Sequence, residues 1–192
     1  IYPQPISKNK RFKKRKIKSK FRVMTISRLS KEKRIEDLIT AISRTQIKNI
    51  ELNILGEGVY KDRLIKLSNN LKLSVNFIKY SFESEKKYFK KSNLYVNSSD
   101  FEGFPSSVVQ ALNETIPVIC SKSHGGIYEI LNHGKLGKLY DARNSKKLSK
   151  LIESTYKNYD SEVGKLKNKK KYFKKFLNEK NFGKYNIIFK NL

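Results

Sequence analysis

Cysteine, tryptophan and acid are scarce in this chain. Among 192 residues there is a single cysteine, Cys120, and no tryptophan. One thiol excludes an internal disulfide framework, and its place in the apolar run "IPVIC" predicts a core residue in a reducing compartment. No stretch approaches the roughly 20 apolar residues that span a bilayer as a helix, and the opening residues carry no secretory-leader pattern. Acidic residues number 17 against 43 basic ones, a formal charge of +26. Such a balance attracts nucleic acid, anionic headgroups or phosphorylated ligands. Arginine is scarce too, at 8 residues against 35 lysines. Arginine is the better phosphate fork and base reader, so this excess points away from sequence-specific nucleic-acid binding. Codon bias of an AT-rich genome explains part of it, since Asn and Ile are also abundant.

What is present suffices for one domain. The hydrophobic fraction is 38%, with 11 Phe and 11 Tyr, enough to build a core at this length. The chain opens on Ile1 rather than Met, which predicts a fragment, a processed product or an incomplete reading frame. Residues 1–20, "IYPQPISKNKRFKKRKIKSK", combine two prolines with a basic run and read as a linker or arm. Residues 21–160 read as the folded domain, and 161–192 as a lysine-rich helical tail.

From Phe21 onward, short apolar runs alternate with amphipathic ones. The strand-like runs are 21–27, 50–56, 73–78, 94–98, 116–120 and an edge strand over 135–141. Helical periodicity covers 34–45, 60–71, 83–92, 105–113, 125–131 and 144–159. In the first helix Ile35, Leu38, Ile39 and Ile42 share one face. In the second the apolar residues are Leu64, Ile65 and Leu67. Repeated strand–helix units of this kind predict an α/β fold, a doubly wound parallel sheet of Rossmann-like type. In such sheets ligands sit beyond the carboxyl ends of the strands.

The candidate residues fall at those ends. Arg28 follows the first strand and Lys33 precedes the first helix. Two cations beside a helix N-terminus suit a pyrophosphate, although in so basic a chain a solvated loop has the same composition. Gly56 and Gly58 lie after the second strand, not the first, so they make a poor dinucleotide fingerprint and read instead as a tight turn allowing close approach to a ligand. After the fourth strand comes "SDFEGFPSSVVQAL". Amides at 104–107 would face a ligand resting on the sheet edge. Glu102 could accept hydrogen bonds from sugar hydroxyls, or it could cap the following helix. His124 reads as a surface loop residue.

Four segments now carry a resemblance: "SRLSKEKRIEDLITA", "LNILGEG", "SDFEGFPSSVVQAL" and "PVICSKSHGGIYEIL", in this order and spacing. Over about residues 21–142 the chain resembles the C-terminal, donor-binding half of a GT-B retaining glycosyltransferase of the group 1, family-4 type. The resemblance implies that Arg28 and Lys33 neutralise the donor diphosphate and that Glu102, first acid of an E-x7-E motif, contacts the donor sugar. It implies that Gly103, Phe104, Pro105, Ser106 and Ser107 form the turn holding sugar and phosphate. Gln110 stands where a second acid usually binds the ribose, and "IYPQP" resembles the interdomain hinge. The implied donor is a UDP-, GDP- or ADP-sugar, with no metal or other cofactor, and no Asp-x-Asp is present to hold a metal. The implied acceptor is a glycan or glycolipid of the cell envelope, such as lipopolysaccharide, reached through a second, N-terminal domain. A cytoplasmic protein, peripheral on the inner face of an anionic membrane, fits this picture.

The chain departs from the family pattern at Gln110 and at Ser27, Arg34, Lys79 and Thr115, where glycines are usual. A left-handed Thr115 would carry about 1 kcal/mol of strain. These departures motivate a second reading, a degenerate non-catalytic domain serving as a partner subunit. A basic nucleic-acid-binding module ranks last, because no RNP, zinc-finger or helix-turn-helix signature supports it.

Overall fold

The computed structural model describes residues 12–123 and 125–169. His124, the "IYPQP" segment and the tail beyond Lys169 lie outside the described residues. Six strands, β1 (Phe21–Ile26), β2 (Ile50–Leu55), β3 (Val75–Ile78), β4 (Leu94–Asn97), β5 (Val118–Ser121) and β6 (Lys138–Tyr140), form one sheet in the order β3-β2-β1-β4-β5-β6. Every pairing is parallel. The strand order reverses between β1 and β4, and a doubly wound sheet opens its ligand crevice at that switch point.

Alternation along the strands feeds two separate cores. Val23, Leu52, Ile54, Leu94, Val96 and Ile119 join one cluster. It also takes in Leu38, Ile39 and Ile42 of α1 (Ile35–Ser43) and Leu148 and Ile152 of α6 (Ser145–Lys157). Their neighbours Met24, Leu55, Tyr95, Val118 and Cys120 point the other way. There they meet Phe89 of α3 (Phe82–Lys91), Val108 and Leu112 of α4 (Ser106–Asn113) and Ile127 of α5 (Ile127–Ile130). Each fully buried Leu or Ile contributes about 1.5–3 kcal/mol. All four residues expected on the α1 face are buried, whereas α2 (Lys61–Asn70) buries only Leu64 of its expected three. Cys120 is fully buried, and desolvation pushes its thiol well above the ordinary range. Among the described residues no helix is long and apolar enough to cross a membrane.

Local chemistry sets several boundaries. Helix α3 starts at Phe82 because the Ser81 and Ser84 hydroxyls each accept the other residue's amide, a reciprocal cap. Strand β5 starts at Val118, two residues later than the apolar run implies, since Pro117 has no N–H to offer a ladder. Helix α5 has only four residues. After α6, helix α7 (Tyr159–Lys165) and a single 3₁₀ turn (Leu166–Asn168) complete the described chain.

The carboxyl end of α4 is gripped by residues near both ends of the described chain. Thr115 has φ 62°, the left-handed conformation, and Ile116 N–H closes back on the Ala111 carbonyl. The buried ammonium of Lys169 donates to the carbonyls of Leu112 (2.6 Å) and Asn113 (2.7 Å) and to Thr115 Oγ1 (2.6 Å). From the other end of the described chain, Arg15 Nε donates to the Glu114 carbonyl (2.9 Å). Its other nitrogens reach the carbonyls of Phe89, Lys90 and Ser92 at the end of α3.

A magnitude decides what Thr115 is worth. Thr115→Gly would relieve about 1 kcal/mol of backbone strain. It would also delete a charge-assisted hydrogen bond worth about 1.5–3 kcal/mol. The substitution is therefore expected to destabilise the domain by about 1 kcal/mol, read as a lower urea midpoint at unchanged slope. A raised midpoint would mean that strain dominates.

Candidate functional site

Three loops meet at the carboxyl edge, those after β1, β4 and β5. The β1 and β4 loops are laced together: Asp100 N–H donates to the Glu32 carbonyl (2.8 Å), and Ser98 Oγ to the Lys33 carbonyl (2.8 Å). The β5 loop joins through Gly126 N–H to the Gly103 carbonyl (2.9 Å) and through Ser121 Oγ to the Ser99 carbonyl.

Glu102 is the centre of this lacing. Lys33 Nζ (2.8 Å), Ser99 Oγ (2.6 Å) and Asn97 Nδ2 (3.2 Å) all donate to the same oxygen, Oε1. Its Oε2 has no partner among the described residues. The Lys33 and Glu102 side chains are each 14% exposed. The capping alternative for Glu102 fails, since the residue at the start of α4 is Pro105 and no side chain caps that helix. Asn97 and Ser99 were missed in the sequence, where only the acid stood out.

The two expected cations do not share one partner. Arg28 is 80% exposed and lies 3.8 Å from Glu32 in its own loop, whereas Lys33 reaches across to Glu102. Glu32 is held below the ordinary carboxylate range, first by the Ser30 hydroxyl and then by its own backbone amide.

The turn after β4 also needs correction in detail. Pro105 has no N–H, so it cannot belong to a set of amides running from Phe104 to Ser107. The Ser106 and Ser107 amides lack partners among the described residues and stand at the N-terminus of α4. Ser107 is fixed from below, its Oγ accepting from the buried Tyr95 hydroxyl at 2.7 Å. Burial raises the Tyr95 phenol, which therefore stays protonated as a donor. Gln110, one turn along α4, is half-buried with no side-chain partner among the described residues.

Glycines let these loops touch. Gly56, expected to approach a ligand, approaches the chain itself: a Cβ there would sit 1.9 Å from the Ser27 carbonyl oxygen. Its turn supports the β1 loop, with Leu29 N–H donating to the Glu57 carbonyl (2.8 Å). Gly125, which sequence reasoning did not single out, has φ 115°, and a Cβ would fall 1.7 Å from the Glu102 carbonyl oxygen. Of the four positions where the resemblance implies glycine, Arg34 (φ 50°) and Thr115 adopt positive φ, while Ser27 and Lys79 do not. The hydroxyls of Ser27 and Ser123 are buried at this edge without a partner among the described residues. No three His, Cys, Asp or Glu side chains among the described residues converge as metal ligands.

The fold and this edge define a Rossmann-like α/β domain of the GT-B half-domain type, with cation, carboxylate and free amides gathered at the switch point. The family model described as Glycosyl transferases group 1 matches residues 6–176, and the chain belongs to that family. It is 32% identical over 129 residues to an N-acetylgalactosamine-N,N'-diacetylbacillosaminyl-diphospho-undecaprenol 4-alpha-N-acetylgalactosaminyltransferase of Campylobacter jejuni. That match covers 67% of this chain and 35% of the relative. An uncharacterized glycosyltransferase of Methanocaldococcus jannaschii is 37% identical over 117 residues, covering 59% of this chain and 29% of that protein. The chain thus spans about a third of the length of these relatives. Among solved structures, Anabaena HepE in complex with UDP-glucose superposes with a TM-score of 0.82 at 21% identity, over 90% of this chain and 49% of that one.

Proposed function

We propose that this domain holds a nucleotide-diphosphate sugar for retaining transfer to an acceptor glycan or glycolipid, which a second domain would bind. One observation carries the reading: three donors converge on Glu102 Oε1, leaving Oε2 without a partner among the described residues, in the turn that leads into the open Ser106 and Ser107 amides. The free oxygen suits donor-sugar hydroxyls, and the amides with the helix dipole suit a phosphate. As the sugar–oxygen bond breaks, negative charge grows on the departing diphosphate. Lys33 and the turn amides are fixed in place to meet it, with no reorganisation at the moment of reaction. Arg28, exposed on its loop, would exchange its 3.8 Å contact with Glu32 for the same diphosphate. Gly103 and Phe104 shape the turn, and Gln110 offers an amide to the ribose. The activities for which the relatives are named support the sugar-transfer reading, and HepE's complex with UDP-glucose supports the donor class.

Titration of the ¹⁵N-labelled chain with UDP-, GDP- and ADP-sugars tests this. Saturable shifts confined to residues 28–33 and 99–110 are the expected result. A folded domain whose spectrum ignores all three donors at millimolar concentration would instead be a non-catalytic partner, the reading that Gln110 favours.

A further inference from the structure

The amino edge of the sheet, opposite the candidate donor site, carries a feature that sugar transfer leaves unexplained. Residues 12–20 run there without helix or strand, and they are anchored. Phe12 and Ile17 pack on the core, Arg15 is bonded to four carbonyls, and Asn93 Nδ2 donates to the Lys16 carbonyl. Between this strap and the end of α3 lies a cavity of about 630 Å³. Among the described residues, nine cationic ones line it against a single carboxylate, Glu51. That acid is already shared by Lys20 and Arg22, each at 3.5 Å. Lys13, Lys14, Lys16, Lys18, Lys90 and Lys91 are exposed there, and none has an ion-pair partner among the described residues. Like charges crowded on anchored backbone repel one another, and a bound polyanion removes that cost.

We propose that this cavity binds a flexible polyanionic polymer without nucleobases, with phosphates repeated along its length. The shape favours a chain over a membrane, because a concave cleft takes a strand of polymer better than a flat headgroup plane. None of the exposed large apolar residues, such as Phe82 or Phe101, lines it to enter hydrocarbon. The lysine-dominated lining suits repeated point contacts rather than bidentate recognition of one group. Nucleic acid is less well matched, since Tyr88 is the only aromatic among the described residues lining the cavity and Lys87 already covers its ring at 5.9 Å. The site is separate from the donor site, and no step of sugar transfer passes through it.

Fluorescently labelled inorganic polyphosphate, titrated into the intact protein and followed by anisotropy, tests the inference. The key variant combines Lys14→Gln, Lys18→Gln, Lys90→Gln and Lys91→Gln. A control removes equal charge from α6 by Lys146→Gln, Lys147→Gln, Lys150→Gln and Lys157→Gln. Circular dichroism checks that both remain folded. Expected are saturable binding to the parent, a steep fall with salt, and about tenfold or greater weakening in the first variant only. Equal weakening in both variants, or binding that never saturates, would overturn the proposal in favour of unlocalised charge. Tighter binding of phosphatidylglycerol vesicles or of oligo(dT) through the same four lysines would overturn it too, assigning the cavity to a membrane or to nucleic acid.

Discussion

Lys33→Met, introduced into a full-length protein carrying this domain, is expected to reduce kcat for sugar transfer by about 10²–10³. Lys33 sits 2.8 Å from Glu102 Oε1 with both side chains largely withdrawn from water, where a charge acts more strongly than at an open surface. Methionine keeps the stem and its packing while deleting the ammonium. Asn97 and Ser99 still hold Glu102, so folding should survive, as thermal melting would show. The kinetic pattern carries the information. A fall in kcat and kcat/KM together marks an interaction made as the diphosphate departs, whereas a rise in KM alone marks ground-state binding. Unchanged kinetics would remove Lys33 from the site.

The second large effect is expected from Gly125→Ala. The new methyl would lie 1.7 Å from the Glu102 carbonyl oxygen and 2.9 Å from that of Gly103, on a backbone whose φ of 115° already disfavours a side chain. Strain and displacement together are expected to cost about 2–4 kcal/mol of stability. The collision can be relieved only by moving the β5 loop away from the turn that carries Glu102. A misplacement of that size is expected to lower transfer by about 10²-fold. Gly103→Ala is the matched control. An added Cβ there meets nothing within 4 Å, so stability should hold to within about 0.5 kcal/mol. Equal urea midpoints for the two variants would show that the Gly125 contact is not a constraint.

These two residues also show where sequence reasoning reaches and stops. The sheet was legible because β1, β2 and β4 are apolar runs buried on both faces, and α1 repeats its apolar residues at helical spacing. Lys33 and Glu102 could be picked out one at a time, each beside a turn at a strand end. Their contact spans 69 residues of chain and depends on β1 lying beside β4, which no local pattern encodes. Gly125 gave no local signal of a required approach, because the atom it must avoid belongs to another loop. The lysine excess concealed more. Lys169 looks like one more solvated tail residue, yet it is 1% exposed and bonded at the end of α4. Arg15, inside a basic run, closes two helix ends.

Helix α4 presents its first amides at the sheet's carboxyl edge, and its last carbonyls are clasped by Arg15 from upstream and Lys169 from downstream. The segments leading into and out of the Rossmann core thus hold the same end of one rod whose far tip faces the candidate site. A substitution of Arg15 or Lys169 thus acts on the helix that carries the Ser106 and Ser107 amides while touching no side chain of the candidate site.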